Sequence, residues 1–535
     1  MSLFRDYLPD EKQKIKIKEE VVRRILYDFF VSVREDDYVI RKKLNETISA
    51  EIERWKSERG TPLSESYLKF FRKIRKSAHF SSESERRYII KEIVELYMDE
   101  IQGHFSPIIY KLATRVVPRG LSFILASLTP SSIISYLPKF PDVDSHIIVS
   151  GNKEKLFNLA KRGTIILTPT HVSHVDSPVI GYIVYRLGLP PFLYGAGLNL
   201  FSNPILGFFM KNLGAYKVDR KRKHELYLDT LKHYVSTTLE MDYDHIFFPE
   251  GTRSRNGTFP KKLKMGLLGC GVKAYINNLK SNRPRQNIYI VPATFTYHVT
   301  LEAESLIRQY LEDTTKEDWV SYKDEAFKIS RIFDFIRRFI ELDMKLVVKF
   351  SDAFDPFGNP VDDDGNSLDP NGRIVDPRRY VLKEGVPEHD NQRDSEYTKE
   401  LADKVLQTYR KDNAVLSTNL SSFVIFEIAM RKVGETDEIR SLYLIEGLEL
   451  DYGEIVKYID IAKNLFNDLH QEGKIFVFYR INEKTPKSIL DTAYRVFSRY
   501  HTRPPFRIKG RRVKIENAPL LYYYRNRLAG YINLF

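Results

Sequence analysis

The first of three polar clusters in this sequence could supply a base. It follows the apolar run of residues 164–168 and contains His171, His174 and Asp176. A neutral imidazole can take a proton from a hydroxyl when a carboxylate holds its other ring nitrogen. The alternative is that Asp176 only caps a helix, since Pro178 suits a first helical turn. We expect His171 to act as a general base and Asp176 to orient it.

Two further clusters place cations beside glycines. The first, at residues 213–223, carries Gly214, Arg220 and a run of basic side chains, and a solvated basic loop is its simpler interpretation. The second, at residues 247–257, contains Glu250, Gly251, Arg253, Ser254 and Arg255, and Lys264 follows it. Glycines let a backbone approach a ligand, while guanidinium and ammonium groups bind phosphate. Both clusters therefore contain the elements of a phosphate site.

The elements that must position these clusters alternate between strand-like and helical patterns over residues 142–354. Three apolar runs, at residues 164–168, 245–248 and 288–291, each meet a proline within two residues, and polar clusters follow the first two. This pattern predicts an α/β fold whose largely parallel sheet is covered by helices. Because such sheets bind ligands at the carboxyl ends of their strands, the clusters should converge.

Helical periodicity flanks this unit on both sides. We expect a helical N-terminal domain at residues 1–117, with a capping box at Ser82 and Glu85, an α/β domain at residues 118–394, and a helical C-terminal domain at residues 395–535. A long helix is predicted at residues 452–472, ending at Gly473. Residues 355–390 predict successive turns. Their Asp and Gly spacing does not fit a calcium loop, and we expect no internal repeat.

Composition indicates an ordinary globular chain. Its 535 residues, 42% hydrophobic and 29% charged, exceed what one core of roughly 250–300 residues supports. The single cysteine, Cys270, excludes an intrachain disulfide, and its apolar surroundings predict a buried thiol rather than a nucleophile. The net charge of +13 favours an anionic partner. Because no nucleic-acid-binding motif accompanies this charge, we expect phosphate compounds or lipid headgroups rather than nucleic acid.

The sequence also predicts no membrane-spanning helix. Its first residues lack the apolar core of a secretory signal, which favours a cytoplasmic location. The best spanning candidate, residues 120–137, contains Pro130 and five serines, and it is shorter than the ~20 largely apolar residues that a bilayer requires.

The clusters, in this order, resemble the glycerolipid acyltransferase family. Its His-x4-Asp block matches His171 and Asp176, and its further blocks match residues 214–220, 250–254 and 291–292. His174, the connection at residues 188–200 and the stretch at residues 520–526 make the chain most similar to the large glycerol-3-phosphate acyltransferases. One departure is that Asp219 and Arg220 stand where the bacterial branch commonly has paired arginines.

The resemblance implies acylation of glycerol 3-phosphate at its sn-1 hydroxyl, which gives lysophosphatidate for phospholipid biosynthesis. His171 would deprotonate that hydroxyl for attack on the thioester of an acyl-carrier protein or of coenzyme A, without a cofactor or metal. It further implies that Arg220 and Arg253, with Arg255 or Lys264, hold the acceptor phosphate, that Glu250 and Gly251 shape the pocket, and that Pro292 lines it. Ser254 adds a hydroxyl beside Arg253.

Contact with a membrane surface follows from a lipid product. The apolar side chains available for peripheral binding are Leu198, Leu200, Phe201, Ile205, Leu206, Phe208, Phe209 and Met210. The same residues could instead pack in a core. Two alternative functions stay open: acylation of dihydroxyacetone phosphate or lysophosphatidate, and a noncatalytic basic protein that binds membranes or nucleic acid.

Overall fold

A seven-stranded sheet forms the centre of the molecule, described here from a computed structural model. The structure describes residues 8–32, 37–58, 60–78, 82–111, 113, 146–201, 204–315, 338, 342 and 344–535. The sheet strands are β1 (Ile147–Ser150), β2 (Gly163–Pro169), β3 (Leu193–Gly197), β4 (Ala215–Val218), β5 (His245–Ile246), β6 (Asn287–Tyr297) and β7 (Leu346–Phe350). Their order is β1-β7-β6-β2-β5-β3-β4, and only the β6–β7 pair is antiparallel. The predicted fold class is confirmed.

The two central strands, β2 and β6, are buried on both faces. Side chains alternate along a strand, so Ile165 and Leu167 join one hydrophobic core while Ile166 joins the other. Strands buried on both faces consist of nearly continuous apolar residues, and this is why residues 164–168 and 288–291 could be predicted as strands.

Helices cover both faces of the sheet. Within the α/β unit they are α5 (Lys153–Arg162), α6 (Asp176–Arg186), α7 (Leu198–Phe201), α8 (Pro204–Asn212), α9 (Glu225–Glu240), α10 (Met265–Leu268), α11 (Cys270–Lys280) and α12 (Ala303–Thr315). Before them come α1 (Glu11–Tyr27), α2 (Asp37–Ser57), α3 (Pro62–Ala78) and α4 (Glu83–Ile101). A π-helical turn, Asp28–Ser32, extends α1, and the predicted capping box of Ser82 and Glu85 begins α4.

The N-terminal helices share a core with one face of the sheet. Ion pairs fix this contact. The Arg24 guanidinium donates to both carboxylate oxygens of Glu240 at 2.7 and 2.6 Å, and Nε2 of His233 lies 2.8 Å from Oδ2 of Asp28. Both partners in the α/β unit, Glu240 and His233, belong to α9, so the N-terminal helices pack against the helical layer that covers this face. Their predicted boundary at residues 117–118 lies outside the described residues.

The C-terminal region packs on the opposite face and shares the other core. Helix α13 (Asn391–Lys411) leads into this region, whose own helices are α14 (Ser417–Val433), α15 (Glu438–Ile445), α16 (Tyr452–Gln471), α17 (Tyr479–Asn482), α18 (Pro486–Tyr500) and α19 (Ala518–Arg525). Small strands join them, β12 (Ala414–Val415), β13 (Glu449–Asp451), β14 (Phe476–Val477), β15 (Phe506–Lys509) and β16 (Arg512–Ile515). Helix α16 follows the prediction within one residue.

Helix α13 crosses the suggested domain boundary at residues 394–395. Its buried Leu401, Val405 and Tyr409 belong to the core that the N-terminal helices share, not to the C-terminal core. Tyr409 also donates a hydrogen bond of 2.7 Å to the carbonyl of Thr168, in β2. This helix is therefore packed as part of the α/β unit.

The turn-rich excursion is an internal repeat, which corrects the expectation that the chain has none. Asp355, Asp362, Asp369 and Asp376 stand seven residues apart. Each of the first three accepts backbone N–H groups two and four residues further on, at 2.8 to 2.9 Å. A glycine with positive φ follows each of these three aspartates after three residues, so every turn is stabilised from within.

Short elements connect the repeated turns. These are β8 (Ser367–Leu368), β9 (Ile374–Val375), β10 (Leu382–Lys383), β11 (Val386–Pro387) and a 3-10 turn, Pro377–Tyr380.

In the part of the chain that the structure describes, no helix is long and apolar enough to cross a membrane. Residues 120–137, the spanning candidate of the sequence, lie outside that part.

The ion pair between Arg24 and Glu240 should control how firmly the N-terminal helices are held. Arg24→Met leaves the Glu240 carboxylate, only 4% exposed, without its charged partner, and such losses cost about 3–5 kcal/mol. Arg23→Met is the matched control, because Arg23 is 65% exposed and its ion pair contributes at most about 1 kcal/mol. Calorimetric unfolding should show a clearly lower transition temperature for Arg24→Met alone. Equal transitions for the two variants would contradict this assignment.

Candidate active site

The first polar cluster forms a histidine–carboxylate pair at the carboxyl end of β2. Nδ1 of His171 lies 3.1 Å from Oδ2 of Asp176. The Asp176 side chain is fully buried, and the His171 side chain is 13% exposed. Asp176 is the first residue of α6, whose start has no side-chain cap, so capping does not explain the aspartate. The pair leaves Nε2 of His171 for a ligand.

The Asp176 carboxylate also accepts hydrogen bonds from three other groups. Its Oδ2 accepts the backbone N–H groups of Val172 at 2.6 Å and Ser173 at 2.8 Å. Its Oδ1 accepts the hydroxyl of Tyr297, which lies at the end of β6. Four donors satisfy the hydrogen-bonding capacity of this buried carboxylate, which holds His171 through Nδ1.

The surroundings of His171 keep its imidazole neutral. Burial lowers the pKa of His171, the hydrogen bond with Asp176 opposes that shift, and the charges of Arg253 and Arg220 lower the pKa further. The ring stacks on Phe248 with centroids 4.3 Å apart. A neutral imidazole with its Nδ1 proton held by a carboxylate can accept a proton at Nε2.

His171 opens onto a cavity of about 370 Å³. His174, Tyr194, Arg220, Arg253 and Arg255 also line it, together with residues of α12. Arg220 follows β4 and Arg253 follows β5, so the clusters converge at one edge of the sheet, as the strand pattern predicted. The cavity therefore combines a neutral base with cations suited to an anionic ligand.

The three arginines differ in their partners. Arg253, inside the cavity, forms an ion pair with the buried Glu302, with Nη1 and Oε1 3.3 Å apart. Arg255 also lines the cavity and pairs with Asp313 of α12, and both side chains are well exposed. Arg220 lines the cavity next to solvent. Arg220 and Arg253 are therefore the two cations best placed for a ligand near His171.

Glu250 and Gly251 do not line the cavity, and Glu250 contacts the His171 loop instead. Oε1 of Glu250 accepts the backbone N–H of His171 at 2.8 Å, and burial raises the pKa of Glu250 to about 8. Gly251 has φ of 78°, and a side chain there would lie 3.2 Å from Cγ of Lys264. Lys264 itself is exposed beside this turn and does not line the cavity.

Ser254, predicted to add its hydroxyl to a phosphate site, and Pro292, which the resemblance placed in the pocket, lie elsewhere. The hydroxyl of Ser254 donates to the carbonyl of Thr258 at 2.6 Å, so it closes its own loop. Pro292 is buried within β6 opposite Thr168, and its carbonyl accepts the N–H of Ser351 at 3.0 Å. Neither residue lines the cavity. The expectation that Pro292 lines it is corrected, because a residue in mid-strand cannot reach the loop edge.

Sequence reasoning missed several residues of this site. They are Phe248, Tyr297 and Glu302, which contact His171, Asp176 and Arg253, and Tyr194 and residues of α12 in the cavity wall. Tyr297 is the last residue of β6, the third predicted strand, and Glu302 follows it. The expectation that strand ends converge could have included them.

A C-terminal segment, residues 523–527, packs against the Arg253 loop. Asn526 donates a hydrogen bond of 2.9 Å to the carbonyl of Asn256, and Cβ of a residue replacing Gly257 would lie 2.1 Å from the carbonyl oxygen of Tyr523. The buried Arg527 donates to the carbonyl of Phe295 at 2.7 Å. The resemblance at residues 520–526 thus corresponds to a segment packed against this site.

Cys270 lies in α11, away from the cavity lining, and burial raises the pKa of its thiol to about 12. A thiol with such a pKa is a poor nucleophile. Within the described ranges, no group of three or more His, Cys, Asp or Glu side chains could hold a metal ion.

A comparison with protein families identifies this region. The model of the family named Acyltransferase matches residues 150–296, which include all four sequence blocks. The chain contains an acyltransferase domain. The proposed base, its aspartate partner and the three arginines that line the cavity all lie within this acyltransferase domain, whereas Glu302 and α12 lie beyond the matched residues.

Known proteins similar to part of this chain carry a more specific name. A glycerol-3-phosphate acyltransferase of Pseudomonas paraeruginosa is 26% identical over 209 residues, 39% of this chain and 22% of that protein. Those of Xanthomonas campestris and Pseudoalteromonas atlantica are each 29% identical, over 30% and 39% of this chain and 17% and 23% of their own lengths. The matches thus span less than a quarter of these relatives. They confirm the resemblance to glycerolipid acyltransferases.

The titration of His171 should reflect its surroundings. We expect its pKa to lie below 6.5, and to fall further in Asp176→Asn, because that change removes a charge and a hydrogen bond that favour the imidazolium. Histidine-selective NMR, with His171→Ala to assign the signal, measures both values. A wild-type pKa above 6.5, or a rise in Asp176→Asn, would refute this account of the site.

Proposed function

We propose that this chain transfers an acyl group from a thioester to the sn-1 hydroxyl of glycerol 3-phosphate. The observation that carries the proposal is the pair of His171 and the buried Asp176, which faces a cavity with Arg220 and Arg253. The acyltransferase domain and the names of its relatives support the reaction class and the acceptor.

In the proposed reaction, Nε2 of His171 takes the proton of the acceptor hydroxyl as its oxygen attacks the thioester carbonyl carbon. Asp176 stabilises the resulting imidazolium through Nδ1. The tetrahedral intermediate collapses by breaking the carbon–sulfur bond, and the imidazolium returns its proton to the departing thiolate. The products are an ester and a free thiol, and His171 is neutral again. No covalent acyl-enzyme is required.

The two cavity arginines distinguish this acceptor from glycerol. A phosphate held by Arg220 and Arg253 would fix the hydroxyl end of the substrate near His171, as bidentate guanidinium contacts do. Losing a hydrogen bond to a charged group costs about 1.5–3 kcal/mol, so glycerol should be a poor acceptor. Dihydroxyacetone phosphate and lysophosphatidate also carry a phosphate, and the acceptor assay separates them.

The donor is proposed to be acyl-carrier protein or coenzyme A charged with an acyl chain. Both present the same thioester to the same base, so the direct route is common to them. The high pKa of the Cys270 thiol favours this route over one through an enzyme thioester.

An assay with four acceptors tests the function. With one acyl donor, glycerol 3-phosphate should be preferred over dihydroxyacetone phosphate, lysophosphatidate and glycerol. His171→Ala should lower turnover at least ~100-fold, the usual scale for a general base, while Cys270→Ala serves as the control that keeps activity. Preference for lysophosphatidate would reject the proposed acceptor. No turnover of any acceptor with either donor would favour a noncatalytic protein.

We also propose peripheral binding to anionic membranes, because the product is a lipid and the net charge is +13. Within the apolar set at residues 198–210, Phe208 is 48% exposed and Leu198 38%. The side chains of Leu200, Ile205 and Leu206 lie outside the described residues. Exposed apolar groups beside cations such as Lys211 suit a membrane interface.

Vesicle co-sedimentation separates the charged and apolar contributions. Binding to anionic vesicles should weaken with salt without vanishing. Phe208→Ser should weaken the salt-resistant part about tenfold, since burial of one such side chain contributes roughly 1.5–3 kcal/mol. Tyr443→Ser, at a similarly exposed aromatic residue of α15, should not. Equal binding to anionic and neutral vesicles at low salt would remove the electrostatic contribution.

A further inference from the structure

Glu302 is a buried carboxylate inside the site that the proposed reaction does not use. It directly precedes α12, its side chain is fully buried, and it lies beyond the residues that the acyltransferase family model matches. A buried carboxylate is costly unless charged or hydrogen-bonding groups surround it. Its partners therefore indicate its role.

The partners of Glu302 belong to two different parts of the site. Oε2 accepts the hydroxyl of Ser173 at 2.7 Å, and Oε1 accepts the backbone N–H of His174 at 2.9 Å. Both donors lie in the His171 loop. Oε1 also lies 3.3 Å from Nη1 of Arg253, whose side chain is 13% exposed. One carboxylate thus links the loop of the base to the arginine proposed to bind phosphate.

This link restricts a side chain that is otherwise flexible. An arginine has about 2 kcal/mol of rotamer entropy, part of which is lost whenever it binds a ligand. The carboxylate of Glu302 is fixed on the His171 loop by two hydrogen bonds, so it gives the guanidinium a fixed partner before any ligand arrives. A preorganised group binds more tightly because less ordering remains for the binding step.

We propose that Glu302 is a positioning residue for the acceptor, and that it holds the guanidinium of Arg253 at the place relative to His171 where it receives the substrate phosphate. The inference rests on the proposed function. It differs from a purely structural role for Glu302, in which the carboxylate only braces the His171 loop. Bracing alone would affect the rate of the chemical step and leave acceptor binding unchanged.

The experiment compares acceptor binding with turnover in Glu302→Gln. This change keeps the size of the side chain and removes its charge. Calorimetry with glycerol 3-phosphate in the absence of donor should show a Kd raised roughly tenfold or more, the scale of one charge-assisted contact. The KM for acceptor should rise in parallel, while kcat at saturating acceptor and the KM for donor stay within about threefold.

Glu304→Gln is the matched control. Glu304 stands two residues further on, is about half exposed and pairs with His501 outside the cavity, so its Kd should equal that of the wild type. Glu302→Asp provides a second variant if Glu302→Gln does not fold. This variant keeps the charge but shortens the side chain by one methylene group, which moves the carboxylate away from Arg253. Acceptor binding should therefore weaken here too.

A double-mutant cycle tests whether Glu302 acts through Arg253. In an Arg253→Gln background, Glu302→Gln should have little further effect on the Kd, whereas independent contributions would add. An unchanged Kd in folded Glu302→Gln, or a fall in kcat alone, would overturn the inference while the wild type still acylates glycerol 3-phosphate. A wild type that neither binds nor acylates this acceptor would instead reject the proposed function.

Discussion

The buried carboxylate of Asp176 is the constraint on which the site depends. A fully buried charge is tolerated only when hydrogen-bond donors surround it, and Asp176 has two backbone N–H groups, a tyrosine hydroxyl and an imidazole. Satisfying these contacts folds the turn at Val172 and Ser173 and draws Tyr297 from the neighbouring strand. The orientation of His171 is thus a consequence of how the carboxylate is accommodated.

The flanking helical regions are needed because the central strands of the sheet are apolar on both faces. β2 and β6 are buried on both faces, so each face of the sheet needs a cover. Helices α9, α11 and α13 cover one face together with the N-terminal helices, and α5, α6 and α12 cover the other together with the C-terminal region. Both regions are therefore part of the hydrophobic core of the α/β unit, and the loops at its edge are built on a scaffold packed from two sides.

The sequence predicted the sheet, the meeting of His171 with Asp176 and the convergence of the basic clusters. These followed from continuous apolar runs and from short sequence separations, both of which are local signals. Glu302 and Arg527 were missed because their contacts cross 49 or more residues of chain, and isolated charged residues carry no periodic signal. Pro292 was assigned to the pocket by resemblance, whereas its mid-strand position places it in the sheet.

The repeat of Asp355, Asp362, Asp369 and Asp376 was missed for another reason. Strand and helix periodicities are sought in apolar residues, whereas aspartate and glycine carry this period of seven, and turn composition alone was noted. The repeated unit is visible only when aspartate and glycine are considered together as the two residues that one turn requires. Each of the first three aspartates satisfies the backbone of its own turn, while Phe357, Val361 and Val381 of this segment join the two cores.

The contact of the C-terminal segment with the Arg253 loop has a consequence for the order of synthesis. The hydrogen bond from Asn526 to Asn256 joins residues 270 positions apart. The whole α/β unit is translated before Tyr523, Asn526 and Arg527. A nascent chain therefore carries the loops of His171 and Arg253 before the segment that packs against the Arg253 loop exists. The completed site therefore requires translation through residues 523–527, and a chain truncated upstream of Tyr523 would hold the same cavity residues without the segment that packs against their loop.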